Sequence, residues 1–86
     1  MLRKNWQGNP VYDFLKVHGL TPCQLAIASG VDYNVPYNVL NCMVKQLPRH
    51  IIEAVDTLDG EGEGDKLDRA YRAYRDGLAH HLLMKA

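Results

Sequence analysis

Residues 20–31, Leu-Thr-Pro-Cys-Gln-Leu-Ala-Ile-Ala-Ser-Gly-Val, constrain this chain more than any other stretch. Thr21 suits a helix N-cap, and Pro22 suits the first helical position, where its missing N–H leaves nothing unpaired. Gln24 completes a Thr-x-x-Gln capping box. Leu25 and Ala26 fall on the inward side, and alanine is small enough for a second helix to approach closely. Gly30 supplies the left-handed residue that ends a helix. Val31 then anchors a tight turn into the next helix. A short capped helix, a glycine stop and an apolar anchor make the layout of a helix-turn-helix, which presents its second helix to a DNA major groove.

The chain has 86 residues, enough for one small domain, and its 47% apolar content suffices for a core. Valine and isoleucine recur at helical rather than alternating spacing, so an all-α fold is expected. No apolar run approaches the roughly 18 residues of a membrane span, and the N-terminus carries no signal-peptide apolar region, so a cytoplasmic protein is expected. Cys23 and Cys42 read as two small buried thiols rather than a disulfide. The net charge is zero, but residues 1–50 carry +3 and residues 51–86 carry −3. The cationic half is the half that holds the helix-turn-helix pattern.

Five helices are expected in a compact bundle. The first runs from about Pro10 to His18, with Asn9 as cap, Val11, Phe14, Leu15 and His18 on its apolar face, and Gly19 as its stop. The second runs from Pro22 to Ser29. The third starts between Asp32 and Pro36, because proline is tolerated only in a first turn, with Asn34 as the favoured cap and Asp32 as the alternative; it runs to about Lys45. The fourth runs from Pro48 to Leu58, with Ile51, Ile52, Val55 and Leu58 inward. The fifth runs from about Asp65 to Leu83. The expected organisation is an arm over residues 1–8, a helix-turn-helix domain over 9–58, a flexible acidic, glycine-rich linker over 59–64 and a C-terminal helix over 65–86, which belongs to the same domain or serves dimerisation. Val11, Phe14, Leu15, Leu25, Ala26, Val31, Val39, Met43, Ile51, Val55 and Leu58 make the expected core.

At 100° per residue, Asn34, Tyr37, Asn38, Asn41 and Lys45 fall within an arc of roughly 100° on the third helix. Val35, Val39, Cys42, Met43 and Leu47 fall opposite. The first face is built of amides and phenols with no carboxylate. Asparagine pairs with adenine through acceptor and donor together. Asparagine is a poor helix former, so its repetition carries a cost that a binding role explains. Asn34, Tyr37, Asn38 and Asn41 are therefore the expected base contacts. Gln24, Tyr33, Lys45 and Arg49 are the expected phosphate contacts.

The chain resembles the Cro and lambda-repressor-like helix-turn-helix family. The family pattern Leu-Thr-x-x-x-Leu-Ala-x-x-x-Gly-Val is met by Leu20, Thr21, Leu25, Ala26, Gly30 and Val31. Asn9-Pro10 through Gly19 resembles the family's first helix, and Leu58 falls where the last core leucine of the fourth helix is expected. The resemblance spans about residues 9–58. It implies a small, sequence-specific DNA-binding regulator of the repressor type, of the kind carried by a phage or mobile element. Three positions depart from the pattern. Pro22 stands where a phosphate-binding glutamine is common, and the third helix has no arginine. Leu40-Asn41-Cys42 replaces a Glu-Asn-Gly turn, from which a longer third helix is expected.

On the fifth helix Leu67, Tyr71, Tyr74, Leu78 and Leu82 form an apolar stripe. Tyr71, Tyr74, Leu78 and Leu82 are the expected contacts of a homodimer. Asp65–Arg69, Asp68–Arg72 and Arg72–Asp76 are expected intrahelical pairs. The histidines and cysteines match no structural zinc spacing, so neither metal nor other cofactor is expected. No nucleophile–base pair, phosphate loop or carboxylate pair stands out, and an enzyme is not expected. The expected partner is double-stranded DNA, with no membrane. The alternative is a protein-interaction module on the same fold, an anti-repressor or adaptor that does not bind DNA.

Overall fold

The computed structural model describes residues 6–85. Five helices follow one another: α1 (Pro10–His18), α2 (Pro22–Ser29), α3 (Asn34–Leu40), α4 (Arg49–Asp59) and α5 (Glu63–Lys85). The described residues contain no strand, and the all-α bundle agrees with the helical spacing of the sequence.

The first three helices all end by the same device. Gly19, Gly30 and Cys42 each take a left-handed backbone, with φ of 65°, 71° and 59°. The residue after each returns its N–H to a carbonyl five positions back: Leu20 to Leu15 at 2.9 Å, Val31 to Ala26 at 3.1 Å and Met43 to Asn38 at 2.8 Å. This is the Schellman closure, which satisfies carbonyls that a helix end leaves open. The capping box at α2 is complete, with the Gln24 N–H donated to Thr21 Oγ1 at 3.1 Å and the Thr21 N–H to Gln24 Oε1 at 2.9 Å.

This device corrects the expected third helix. α3 stops at Leu40 rather than near Lys45. Cys42 occupies the position a glycine usually fills, so the missing glycine did not lengthen the helix. Neither Asn34 nor Asp32 caps α3 with its side chain; the cap position is Tyr33, and the turn is closed by the Val35 N–H on the Asp32 carbonyl at 3.0 Å. Because the helix ends early, the helical phase fails beyond Leu40. Met43, placed in the core by that phase, is 70% exposed. Leu58 is also corrected: burial on α4 ends at Val55, and Leu58 in the last turn is 46% exposed. The other expected core residues are buried, except Val31, which is half-buried. Cys23 is exposed near the start of α2 and Cys42 is half-buried, so the expected pair of buried thiols is corrected at Cys23.

The ends of the bundle close on elements expected to be loose. Trp6, assigned to an arm, is 4% exposed and joins the core, with its ring beside Tyr12 and Tyr37. The acidic linker is a tight turn at Gly60–Gly62 between two helices, since Asp59 belongs to α4 and Glu63 opens α5. Asp56 accepts the Gly64 N–H at 2.6 Å and ties the start of α5 to α4. His18 at the end of α1 meets Asp59 at the end of α4 at 2.8 Å. On α5 the Asp68–Arg72 pair forms at 2.8 Å, while the expected Asp65–Arg69 and Arg72–Asp76 pairs are absent from the ion pairs of the described residues.

Candidate nucleic-acid interface

The candidate interface is built by α2, the turn over residues 30–33, and α3, which pack together. Val39 and Leu40 hold α3 to the core with no exposed surface. That leaves Asn34 exposed and Asn38 half-exposed on the outer side. Neither side chain has a hydrogen-bond partner among the described residues, which leaves both amides open toward a ligand. Tyr37 is half-buried, its ring centroid 5.8 Å from Trp6 and 6.4 Å from Tyr33. Tyr33 is 68% exposed. Trp6, Tyr12, Tyr37 and Tyr33 thus form a continuous aromatic series that crosses from α1 to the start of α3, with the Lys16 ammonium 4.8 Å from the Tyr12 ring.

Two expected contacts take other roles. Asn41 lies beyond the last turn of α3, and its Oδ1 accepts the Trp6 indole N–H at 2.8 Å. An adenine-reading amide needs its acceptor and donor together, so Asn41 is corrected to a structural partner of Trp6. Lys45 is not on α3; it lies in the segment between α3 and α4. Lys45 and Arg49 are exposed and form no ion pair among the described residues. Gln24 is exposed, but its Oε1 is held by the capping box.

Tyr71, expected at a dimer contact, is fully buried within its own chain, and its hydroxyl donates to the Val44 carbonyl at 2.7 Å. This corrects its role. Burial first, then the nearby Cys42 thiol, pushes its phenol up to about 12. Tyr74 is half-buried and its hydroxyl reaches the Gln7 carbonyl at 3.4 Å. Only Leu78, half-buried, and Leu82, 56% exposed, remain of the expected contacts. Burial also raises the Cys42 thiol above its ordinary value, against the opposing pull of Arg75.

The long-range ties that support the interface were not legible in the sequence. Trp6, Asn9, Asp68 and Arg75 act over long sequence distances, and local pattern showed Asn9 only as a helix cap and Asp68 only in an intrahelical pair. The described residues contain no cluster of three or more His, Cys, Asp or Glu placed to hold a metal. No described helix is long and apolar enough to cross a membrane. No protein-family model, curated protein or solved structure matches the chain.

Proposed function

We propose that this chain is a small DNA-binding transcriptional regulator of the repressor type, which lays α3 in the major groove of double-stranded DNA. The observation that carries this reading is the outer side of α3. It offers two free amides, Asn34 and Asn38, beside the Tyr33 and Tyr37 rings, with no charged residue on the helix. Amides read base edges, whereas carboxylates would repel the phosphates that flank them. Lys45, in the segment that follows, and Arg49, which opens α4, have no ion-pair partner among the described residues and supply the phosphate contacts. The resemblance to Cro-like and lambda-repressor-like proteins points the same way. It also supports a cytoplasmic protein acting as a homodimer, joined through Leu78 and Leu82 at the end of α5.

The test is a fluorescence titration of the single tryptophan with duplexes drawn from a random-sequence pool and from DNA adjoining the gene. Trp6 touches Tyr37 and Asn41, so binding on α3 changes its emission. The expected result is saturable binding that weakens steeply with salt. Failure to bind any duplex at low salt removes this reading.

A second reading is favoured by one specific observation. From Val17 to Val44 only Asp32 carries a formal charge with histidine neutral, and Ile27, Tyr33 and Met43 are 75%, 68% and 70% exposed. That uncharged surface suits a protein partner, as in an anti-repressor or adaptor. A chain that ignores DNA, and whose capture of a repressor-type protein is lost in Ile27→Glu, belongs to this second class.

A further inference from the structure

Asp68, Tyr71 and Arg75 lie on one face of α5, at the three- and four-residue spacing that aligns helical side chains. Each bonds the backbone between α3 and α4. Arg75 Nε donates to the Cys42 carbonyl at 3.1 Å, the Tyr71 hydroxyl donates to the Val44 carbonyl at 2.7 Å, and the Leu47 N–H donates to Asp68 Oδ1 at 2.8 Å. Arg72 holds the other Asp68 oxygen at 2.8 Å and so fixes that carboxylate. The segment between Leu40 and Arg49 has no helix or strand to satisfy its backbone, so these partners come from elsewhere. Lys45 sits between two of the held residues, Val44 and Leu47, and is exposed.

We infer that Asp68, Tyr71 and Arg75 form a brace that holds the segment between α3 and α4 in one conformation and thereby presents Lys45 to a DNA phosphate. The inference rests on the DNA-binding reading above. The three are positioning residues: they act through the backbone and touch no ligand. A segment ordered in advance loses less freedom on binding, so the Lys45–phosphate contact forms with the brace and is lost without it, while the brace residues add no ligand contact of their own.

The test uses the full chain with Tyr71→Phe, which deletes one oxygen, and Arg75→Met, which keeps the apolar stem, singly and together. Circular dichroism and melting establish that each variant is folded; if the double variant is not, Tyr71→Phe alone carries the test. The readouts are amide exchange over residues 43–47 and the salt dependence of DNA binding. The braceless chain is expected to exchange faster in that segment and bind DNA about tenfold more weakly. Its plot of log K against log salt should flatten by about 0.9, the loss of one phosphate. Lys45→Ala should cost the same in the wild type and add little in the braceless chain. A folded variant with wild-type affinity and slope, or with a fully additive Lys45→Ala loss, overturns the brace. If Lys45→Ala and the wild type are alike because neither binds DNA, the functional reading falls instead, and with it the presentation of Lys45.

Discussion

Asn9 and Leu40, 31 residues apart, are joined by a hydrogen bond of 3.1 Å from the Asn9 side-chain amide to the Leu40 carbonyl. The same nitrogen reaches the Val39 carbonyl at 3.4 Å, while Asn9 Oδ1 accepts the Val11 N–H at 2.9 Å. One fully buried side chain therefore starts α1 and finishes α3. It holds the last turn of the candidate reading helix against the first helix of the bundle.

Asn9→Ala is expected to lower stability by about 2–3 kcal/mol, since it removes a cap and leaves buried carbonyls unpaired. Asn9→Asp keeps the acceptor for Val11 but sets a carboxylate against carbonyl oxygens. Its folded-state pKa must rise above the unfolded value of about 3.9. The stability that remains is therefore present below that value and is lost as pH rises through the folded one. Denaturant melts at acidic and neutral pH check the sign; an Asp variant more stable at neutral pH contradicts this account.

Asn9 also shows where reading the sequence stops. Its role as cap of α1 is local, written in Asn9-Pro10, and so was legible. Its bonds to α3 depend on how helices meet, which no local pattern encodes. The same division runs through the chain. The capping box at Thr21 and the stops at Gly19 and Gly30 are local and fixed the ends of α1 and α2. Cys42 takes a glycine's conformation without being glycine, so the end of α3, and with it Met43 and Lys45, was misplaced. At the candidate interface Asn34 and Asn38 follow from α3's own period, whereas the tie of Asn41 to Trp6 does not.

Gly64 and Gly77, on the same helix, are expected to respond oppositely to alanine. A Cβ at Gly64 would meet the backbone carbonyl of Ile52, with Ile52 Cγ2 at 2.7 Å and Asp56 Oδ1 at 2.9 Å. α4 and α5 cross there, so Gly64→Ala should destabilise by at least about 2 kcal/mol despite alanine's better helix propensity. Nothing lies within 4 Å of a Cβ at Gly77. Gly77→Ala should therefore stabilise by about 0.5–1 kcal/mol. Paired thermal melts decide, and equal effects would mean α5 does not cross α4 at Gly64.

Tyr71 makes stability depend on alkaline pH. Its phenol is raised from the ordinary 10 to about 12, chiefly by burial. A group with a raised folded-state pKa contributes stability that is complete below the unfolded value. That contribution falls as pH rises through the folded value, here between about 10 and 12. Tyr71→Phe should lose a hydrogen bond at neutral pH yet show a shallower decline over this window. Phenolate absorbance measured alongside unfolding checks it; parallel declines in both proteins would place the titration elsewhere.

Asn38 and Lys45 should separate sequence reading from charge. Asn38→Ala is expected to weaken a preferred duplex by about 1–3 kcal/mol and relax discrimination at one base pair. Lys45→Ala should weaken all duplexes alike and flatten the salt slope by about 0.9. Competition titrations over a set of single-base variants distinguish the two. Uniform losses from Asn38→Ala would mean that α3 does not face base edges.

Leu78 is the residue on which a dimer model rests. Upstream of it, Tyr71 is fully buried in its own chain and Tyr74 is half-buried, its hydroxyl bonded to the Gln7 carbonyl. Beyond it, Leu82, Leu83 and Met84 are 56%, 77% and 74% exposed, an apolar end on a charge-poor stretch of helix. A single short reading helix with few cations binds weakly; joining two raises apparent affinity through effective concentration. Two copies paired by this end would place their reading helices one DNA turn, about 34–36 Å, apart on a near-palindromic site. Leu78→Glu adds a charge at the contact but leaves the buried row of α5 untouched. It should yield folded monomers that bind the paired site at least about tenfold more weakly and a half-site as before. Sedimentation of the wild type as a monomer at tens of micromolar, both free and on DNA, would confine α5 to bracing its own domain.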